Sequence, residues 1–527
     1  MADEHYDLIV IGSGPGGASL AHRLAPSGKR ILILERGDYL PRETQNWSSS
    51  EVFVHGRYQA PETWYASDGQ PFRPGLHRCV GGNSKVYGAA LLRLRERDFG
   101  ELVHGDGVSP AWPLPYDAFA PWYDEAERLF HVHGQRGEDP NEPPSAFPFP
   151  YAAVSHEPRI EALHASLQAQ GLRPFHLPLG ILLEERDGRP TRTSRCIRCD
   201  AFDGYPCPLD AKADAQVACI DPMLRDHPNV TLRTRAMVER LETDASGRRV
   251  TDVCVTRDGR DERYRADIVV AACGALSTAL LLLRSASDAH PDGLANGSGQ
   301  VGRNYMRHNQ SVLMALAREP NDTTFQKTLA ISDYYFGAPD WPYPLGLIQM
   351  CAKSHADQIR GEALPTWLEW LPDMPFDVMS RHAMDFWLSS EDLPRPENRI
   401  RLAADGRVTL ELTPNNMEAH HRLRARLESL LDGAGTHARL MERKLYFGKD
   451  IALGGTAHQA GTARFGVDPL ASVLDLDCKA HELDNLYITD ASFFVSIGAV
   501  NPTLTIIANA LRVAARIGER LGVSSPR

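Results

Sequence analysis

The chain has 527 residues, too many for one ordinary hydrophobic core, so two intertwined domains are expected. With 43% apolar and 24% charged residues and no low-complexity tract, its composition is that of a globular enzyme. A formal charge of −11 without a basic stripe argues against nucleic acid as a partner.

The N-terminal stretch "DLIVIGSGPGGASLAHRLAPSGKRILILERGD" predicts a strand over Asp7–Ile11, a glycine turn, a helix to about Ala25 and a second strand over Lys29–Leu34 ending at Glu35. Gly12 permits the tight turn, Gly14 lets the backbone approach a pyrophosphate, and Gly17 lets helix and strand pack closely. The N–H groups and dipole of the helix start attract phosphates. Glu35, 23 residues after Gly12, is placed to accept hydrogen bonds from a ribose diol, and its charge repels a 2′-phosphate. Strand, turn, helix, strand and acid in this order predict a dinucleotide site, with NAD and FAD both open at this point. The first apolar run lacks a basic flank and is needed as a strand, so no signal peptide is read and a cytoplasmic location is expected.

Further along, "GLHRCVGGNSKVYGAALLRLRERDF" sets a Gly81-Gly82 pair and Asn83 before a polar loop. A proline-rich stretch around "AFAPWYDEAERLF" predicts one helix flanked by loops. In "CIRCDAFDGYPC", Cys196, Cys199 and Cys207 lie close together, compatible with structural thiols, one disulfide or a metal site. Ile268–Leu283 carries no charge over sixteen residues, too short to span a membrane, and its Gly274 predicts a buried strand turning into a helix. Strands are expected in "SVLMALA", "LGLIQM" and "RHAMDFWLSS", a hairpin across Asp405-Gly406, and an amphipathic helix from Met417. Tyr334, Tyr335, Gln349 and Trp387 are pocket-lining candidates, since aromatic faces with amides suit sugars, and each is equally suited to packing the sheet. His308 is expected to be structural, and His420 and His421 to belong to a surface or a helix start. The end of the chain predicts a strand to Asp490, a loop, and a last helix from about Leu504 to Leu521.

In the order "GSGPGG" with Glu35, "VGGNSKVYGA", "CGALSTALLLLRS", "VGRNYMRHN", "HQAGTARFG" and "DASFF…NPTLTIIANALRVA", these motifs resemble the glucose–methanol–choline (GMC) family of FAD-dependent oxidoreductases. The resemblance implies an α/β fold: a Rossmann-like FAD-binding domain with a parallel sheet, interleaved with an α+β substrate domain on a mostly antiparallel sheet. It implies FAD-binding parts at 1–100, 191–309 and 446–527, a cap region at 101–190 and a substrate-binding domain at 310–445. His458 matches the catalytic histidine and Asn501 the second active-site position. Asp490 matches an acid beside the flavin's ribityl or phosphate region, and Val238 a position where backbone meets adenine. Asn501, Pro502 and Thr503 begin the last helix, whose positive end would face the flavin. Some relatives hold a histidine in the glycine-pair loop that bonds to the flavin; Lys85 and Tyr87 occupy that neighbourhood here, so non-covalent FAD is expected.

Chemistry agrees with this assignment. Oxidising an alcohol moves a hydride to the flavin and a proton to a base, and a neutral imidazole suits that task near pH 7. Asn501 can donate to the substrate oxygen as alkoxide character grows. The expected substrate is a small alcohol, and the similarity of the "VYGA" variant of the loop to GMC-like enzymes acting on sugar-containing natural products implies a glycoside, aminosugar or polyol. The electron acceptor, oxygen or another, is set by the cavity beside the flavin and not by these motifs. Two alternatives remain in view at this stage: a lyase of the same family that keeps FAD for structure, and an NAD-dependent dehydrogenase.

Overall fold

Two sheets and the glycine turns between them position the site. In the computed structural model, residues 5–316, 319–363, 374–434, 441–442 and 456–523 are described. The first apolar run forms β1 (His5–Ile11), followed by helix α1 (Pro15–Leu24) and β2 (Ile31–Leu34). The proline-rich stretch holds α2 (Ala120–Leu129), and α3 (Pro158–Ala169) follows it. Then come β3 (Val230–Arg233), β4 (Ala236–Thr243), β5 (Val250–Arg257), β6 (Arg260–Ala271) and helix α4 (Ala275–Arg284). β1 pairs in parallel with β2 and β6, and β2 with β3. β1 and β2 read as near-continuous apolar runs because both faces are covered, as parallel sheets require.

β6 is long enough to do two jobs. Its C-terminal half pairs in parallel with β1, while its N-terminal half forms an antiparallel meander with β5 and β4. The strand-Gly274-helix expectation holds, with Gly274 at φ +87 just before α4.

The second sheet is antiparallel. It contains β7 (Asn309–Leu316), β8 (Leu329–Ile331), β9 (Leu347–Met350) and β10 (Ala383–Ser390), in the spatial order β7-β10-β9-β8. β11 (Arg399–Leu402) and β12 (Val408–Glu411) form the hairpin expected across Asp405-Gly406. Helix α5 (Met417–Gly433) follows. Side-chain alternation gives the second sheet two unlike faces. Leu313, Ile348, Met350, Met384, Phe386 and Leu388 pack against Leu423, Leu427 and Leu431 of α5 and Ile160 and Leu163 of α3. Gln310, Val312, Gln349 and Trp387 point the other way, into a cavity.

The chain closes on the first sheet. β13 (Leu486–Ile488) pairs in parallel with β6, and α6 (Thr503–Arg520) completes the fold. α6 runs beside α1 and α2, with Tyr123 of α2 hydrogen-bonded to Thr505 at 2.7 Å. The boundary expected at residue 445 lies outside the described residues.

Of the two readings of His420, a surface or a helix start, the second holds. His420 sits in the first turn of α5 but is buried, between the hydroxyls of Ser311 (2.9 Å) and Ser390 (3.1 Å). Helical spacing gave the helix; the serines that bury this histidine come from two other strands. Cys196, Cys199 and Cys207 all carry free thiols, so the disulfide alternative is not realised. Among the described residues no helix is long and apolar enough to cross a membrane.

Candidate active site

A cavity of about 1850 Å³ opens at the carboxyl ends of β1, β2, β6 and β13 and extends to the polar face of the second sheet. Ligands of open α/β folds sit at this end of the strands. Single drug-sized ligands occupy about 300–1,000 Å³, so the space suits a dinucleotide together with a substrate.

At one end lies the glycine turn. Gly12 has φ +101, and a Cβ there would come 2.4 Å from the Ala272 carbonyl oxygen. Gly14 caps α1 with open space where its Cβ would stand, and it lines the cavity with Pro15 and Gly16. Gly17 does not line the cavity; a Cβ there would meet the Gly12 carbonyl at 2.2 Å, which is the close packing expected of it. Glu35 is buried at the end of β2. It accepts from the Ser13 N–H (3.1 Å) and hydroxyl (2.7 Å) and from the Gly37 N–H (2.9 Å), and it still faces the cavity. These bonds orient the carboxylate and leave lone pairs for a ribose diol.

The glycine pair seats on this turn. Gly81 N–H donates to the Ser13 hydroxyl at 3.1 Å, and Gly82 packs against Gly14. Gly82 and Asn83 line the cavity, whereas Gly81 lies behind them. The Asn83 carboxamide oxygen accepts from the His77 N–H (2.9 Å) and its Nδ2 donates to the Gly75 carbonyl (3.0 Å), which braces the loop. Val238 lines the cavity from β4. Asp490, just past β13, is buried and bridges two elements: it accepts from the Gly274 N–H (3.0 Å) at the start of α4 and from the Ser492 N–H (2.9 Å). Burial pushes its carboxyl above the usual range, against the pull of the Ser492 and Thr278 hydroxyls.

At the other end, His458, Asn501, Pro502 and Thr503 line the cavity. His458 Nδ1 lies 2.8 Å from His308 Nδ1 and 2.7 Å from Gln310 Nε2, with the two imidazoles at right angles. Its Nε2 has no protein partner among the described residues. Burial, then the neighbouring His308 and the Lys327 cation, hold the His458 pKa well below 6.5, so the imidazole is neutral at pH 7. Burial pushes His308 down to about 4. Asn501 stands immediately before α6, and its carboxamide oxygen accepts from Gln349 Nε2 at 3.1 Å.

The structure thus brings all the expected residues to one cavity except Gly17 and Gly81, which pack behind its wall. It adds several that sequence reasoning passed over. Ser13 joins Glu35 to the Gly81 loop. Gly16 is tied to the end of β13, for a Cβ there would stand 2.2 Å from the Thr489 carbonyl oxygen. Gln310 and His308 attend His458, and Lys327 and Asp203 form an ion pair of 2.7 Å at the wall. The extra glycine in "GSGPGG" was the one legible signal among these; the others have no spacing that marks them. Of the four lining candidates, Gln349 and Trp387 face the cavity. Tyr334 and Tyr335 do not: Tyr335 is buried with its hydroxyl on Asp98 (2.8 Å), and Tyr334 packs against the α5 side of the sheet.

A strand-turn-helix dinucleotide site sharing its cavity with a neutral histidine and an asparagine defines an oxidoreductase that works on a bound cofactor. Residues 9–310 and 394–510 match the GMC oxidoreductase family, and the chain belongs to it. It is accordingly an FAD-dependent oxidoreductase acting on CH–OH groups, which sets aside the NAD-dependent alternative. It is similar to the 6'''-hydroxyparomomycin C oxidase of Streptomyces lividus, at 32% identity over 99% of this chain and 92% of that one. It is similar also to the paromamine 6'-oxidase of Streptomyces fradiae, at 31% identity over 97% and 91%. The large subunit of fructose dehydrogenase from Gluconobacter japonicus is 26% identical over 96% and 97%. Among solved structures, pyridoxine 4-oxidase from Mesorbium loti superposes with a TM-score of 0.65 at 18% identity, covering 97% of this chain and 99% of that one. The cradle of Gly12, Gly14 and Gly82 fits FAD: Gly14 and Gly82 present bare backbone to the cavity at the helix start, and Glu35 at the end of β2 adds a carboxylate to the same wall.

Proposed function

We propose that the protein oxidises a CH–OH group of a sugar, aminosugar, glycoside or related polyol to a carbonyl, with His458 as the base. The observation that carries this reading is that His458, Asn501 and the polar face of the second sheet meet in the same cavity as the dinucleotide turn. The names of the two Streptomyces relatives, both oxidases of aminoglycoside-type molecules, support a sugar-like substrate.

FAD, when bound, supplies the hydride acceptor. It would rest on Gly12, Gly14, Gly82 and Asn83, with Glu35 on the ribose, Val238 near the adenine, and Asp490, Pro502 and Thr503 toward the flavin. Gly17 and Gly81 support that cradle from behind. The start of α6 adds a positive helix end beside it, which favours negative charge on the bound cofactor.

The remaining work falls to the side chains. His458 takes the substrate's hydroxyl proton on Nε2, the nitrogen free of protein partners. That requires its own proton on Nδ1, donated to His308 Nδ1 at 2.8 Å, with the Gln310 carboxamide turned over from the orientation that sets its Nε2 at 2.7 Å so that its oxygen accepts instead. Gln349 occupies the Asn501 oxygen, so the Asn501 amide N–H groups are left to donate to the substrate oxygen as negative charge grows there. FAD is non-covalent on this reading: the Lys85 ammonium is paired with Asp214 at 3.0 Å, and the Tyr87 hydroxyl donates to the Ala213 carbonyl at 2.7 Å. The fold divides accordingly into FAD-binding parts at 1–100, 191–309 and 446–527, with the cap at 101–190 and the substrate part at 310–445.

The test is the visible spectrum of the purified protein under nitrogen, before and after addition of paromamine, methyl glucoside, fructose and benzyl alcohol. Bleaching by one class supports the reading and names the substrate; admitting air then separates an oxidase from a dehydrogenase. A yellow protein that no alcohol bleaches would favour the lyase that keeps FAD for structure. Acid precipitation should release all of the flavin; flavin left in the pellet would overturn non-covalent binding.

A further inference from the structure

Beyond the base and the dinucleotide turn, three residues that line the cavity carry buried polar groups with hydrogen-bonding capacity unused among the described residues. Gln349 and Trp387 stand directly opposite each other on β9 and β10, hence on one face of the sheet. Gln349 spends its Nε2 on Asn501, while its Oε1 is buried without a partner, and so is the Trp387 indole nitrogen. Both residues line the cavity.

The third group is Lys327, which enters just before β8. Its side chain is only 4% exposed, and of three N–H donors one goes to Asp203 Oδ1 at 2.7 Å. Asp203 is itself fixed, its Oδ2 accepting from the Ala352 N–H at 2.6 Å. The pair lies against the bare Cα of Gly88, where a Cβ would come 1.9 Å from Asp203 Oδ1 and 2.7 Å from Lys327 Nζ. A cation so built in, neutralised by Asp203 and buried in the cavity wall, is not a solvated surface lysine. Its charge also reaches His458 and disfavours imidazolium there.

We propose that Lys327, Gln349 and Trp387 form a subsite for the sugar ring next to the reacting carbinol, accepting neutral hydroxyl groups there and rejecting an ammonium. This rests on the reading of His458 as the base of alcohol oxidation. A hydroxyl both donates and accepts, so it satisfies the Gln349 oxygen and takes a hydrogen bond from Trp387 or Lys327. An ammonium can only donate; it leaves two donors unpaired and meets the Lys327 charge. A hydrocarbon leaves all three groups unpaired in a buried site, the situation in which polar sites discriminate most. Amino groups elsewhere on the substrate are unaffected by this rule.

Three reacting probes separate the possibilities: methyl glucoside, methyl 4-amino-4-deoxyglucoside and benzyl alcohol, followed by anaerobic flavin reduction. A fourth, methyl 6-deoxyglucoside, lacks the 6-hydroxyl, taken as the reacting carbinol from the name of the paromamine 6'-oxidase relative, and reports binding through perturbation of the flavin spectrum. Trp387→Phe keeps the ring and removes the N–H. It should lower kcat/KM for methyl glucoside by roughly tenfold to a hundredfold, and weaken binding of the deoxy probe similarly, with a loss for benzyl alcohol at least about tenfold smaller. Lys327→Met leaves the Asp203 carboxylate without its cation, so the amino-to-neutral glycoside ratio of kcat/KM should rise by about tenfold or more. Equal losses on every probe, or an unmoved ratio, would overturn the subsite. If the wild-type protein bleaches with benzyl alcohol but neither binds nor oxidises the glycosides, the subsite fails while alcohol oxidation stands. If no probe bleaches it and the deoxy probe does not bind, both fail.

Discussion

His458 is held by two neighbours through one nitrogen, and that arrangement fixes what the other nitrogen can do. With His308 Nδ1 at 2.8 Å and Gln310 at 2.7 Å, the ring cannot rotate without losing both contacts. Replacing His458 by alanine should cost roughly 10²–10⁴ in the rate of anaerobic flavin reduction, while the protein keeps its yellow colour and its melting temperature within a few degrees. A variant that reduces its flavin at the wild-type rate would remove His458 from the chemistry. The same environment predicts a pH profile. Burial and two neighbouring groups depress the His458 pKa, so the base stays neutral well below pH 6.5 and loses its function only as pH falls through the depressed value. The acid limb of kcat/KM for flavin reduction should therefore lie below 6.5, and a limb at or above 6.5 would contradict the assignment. That His458 and Asn501 line one cavity was legible because their motifs stand in a fixed order along the chain. His308, Gln310 and Gln349 were legible only as strand residues or as structural and lining candidates. Their partners come from positions 150, 148 and 152 residues away in the sequence, and no local pattern encodes such pairings.

Glycines at the turn between β1 and α1 do different work, and substitution separates their roles. A Cβ on Gly16 would stand 2.2 Å from the Thr489 carbonyl oxygen, a backbone atom at the end of β13 that has no rotamer by which to withdraw. Gly16→Ala must push α1 away from β13, and with it the helix start from Asp490. Gly14 has open space where its Cβ would be and faces the cavity. Gly14→Ala should fold normally and lose flavin, whereas Gly16→Ala should lose both flavin and several degrees of melting temperature. The ratio of absorbance at 450 nm to that at 280 nm, read beside a thermal melt, checks both; equal melting temperatures for the two variants would refute the distinction. At this scale the sequence was most informative. Strands, turns and helices of the parallel sheet follow from apolar runs punctuated by glycine, and the runs "SVLMALA", "LGLIQM" and "RHAMDFWLSS" gave the strands β7, β9 and β10. What alternation does not say is which face meets the helix and which the cavity. That depended on the leucines of α5 and α3, which claim one side of the sheet and leave Gln310, Gln349 and Trp387 on the other.

The cavity joins parts of the chain that are otherwise remote: the N-terminal turn, the Gly75–Ala90 loop, the start of α4, the second sheet and the start of α6 all contribute to its wall. Its wall also carries charge of both signs, Glu35, Glu62 and Asp490 with Arg36, Arg73 and Arg284, of which Glu35 and Asp490 are buried and Arg73 and Arg284 exposed. A ligand that touches all these elements binds the native arrangement and has nothing comparable to bind in the unfolded chain, so its binding free energy adds to stability by mass action. At free FAD about 100 times its Kd the gain is about 2.7 kcal/mol. Stripping the flavin under mild conditions should therefore lower the melting temperature, and titrating FAD back should raise it continuously with concentration beyond saturation of the absorbance signal. The gain should be largely absent in Gly14→Ala, which retains the fold but loses the contact surface. A melting temperature indifferent to FAD in the wild-type chain would mean that FAD does not bind the folded chain in preference to the unfolded one, and would overturn this cavity as its site.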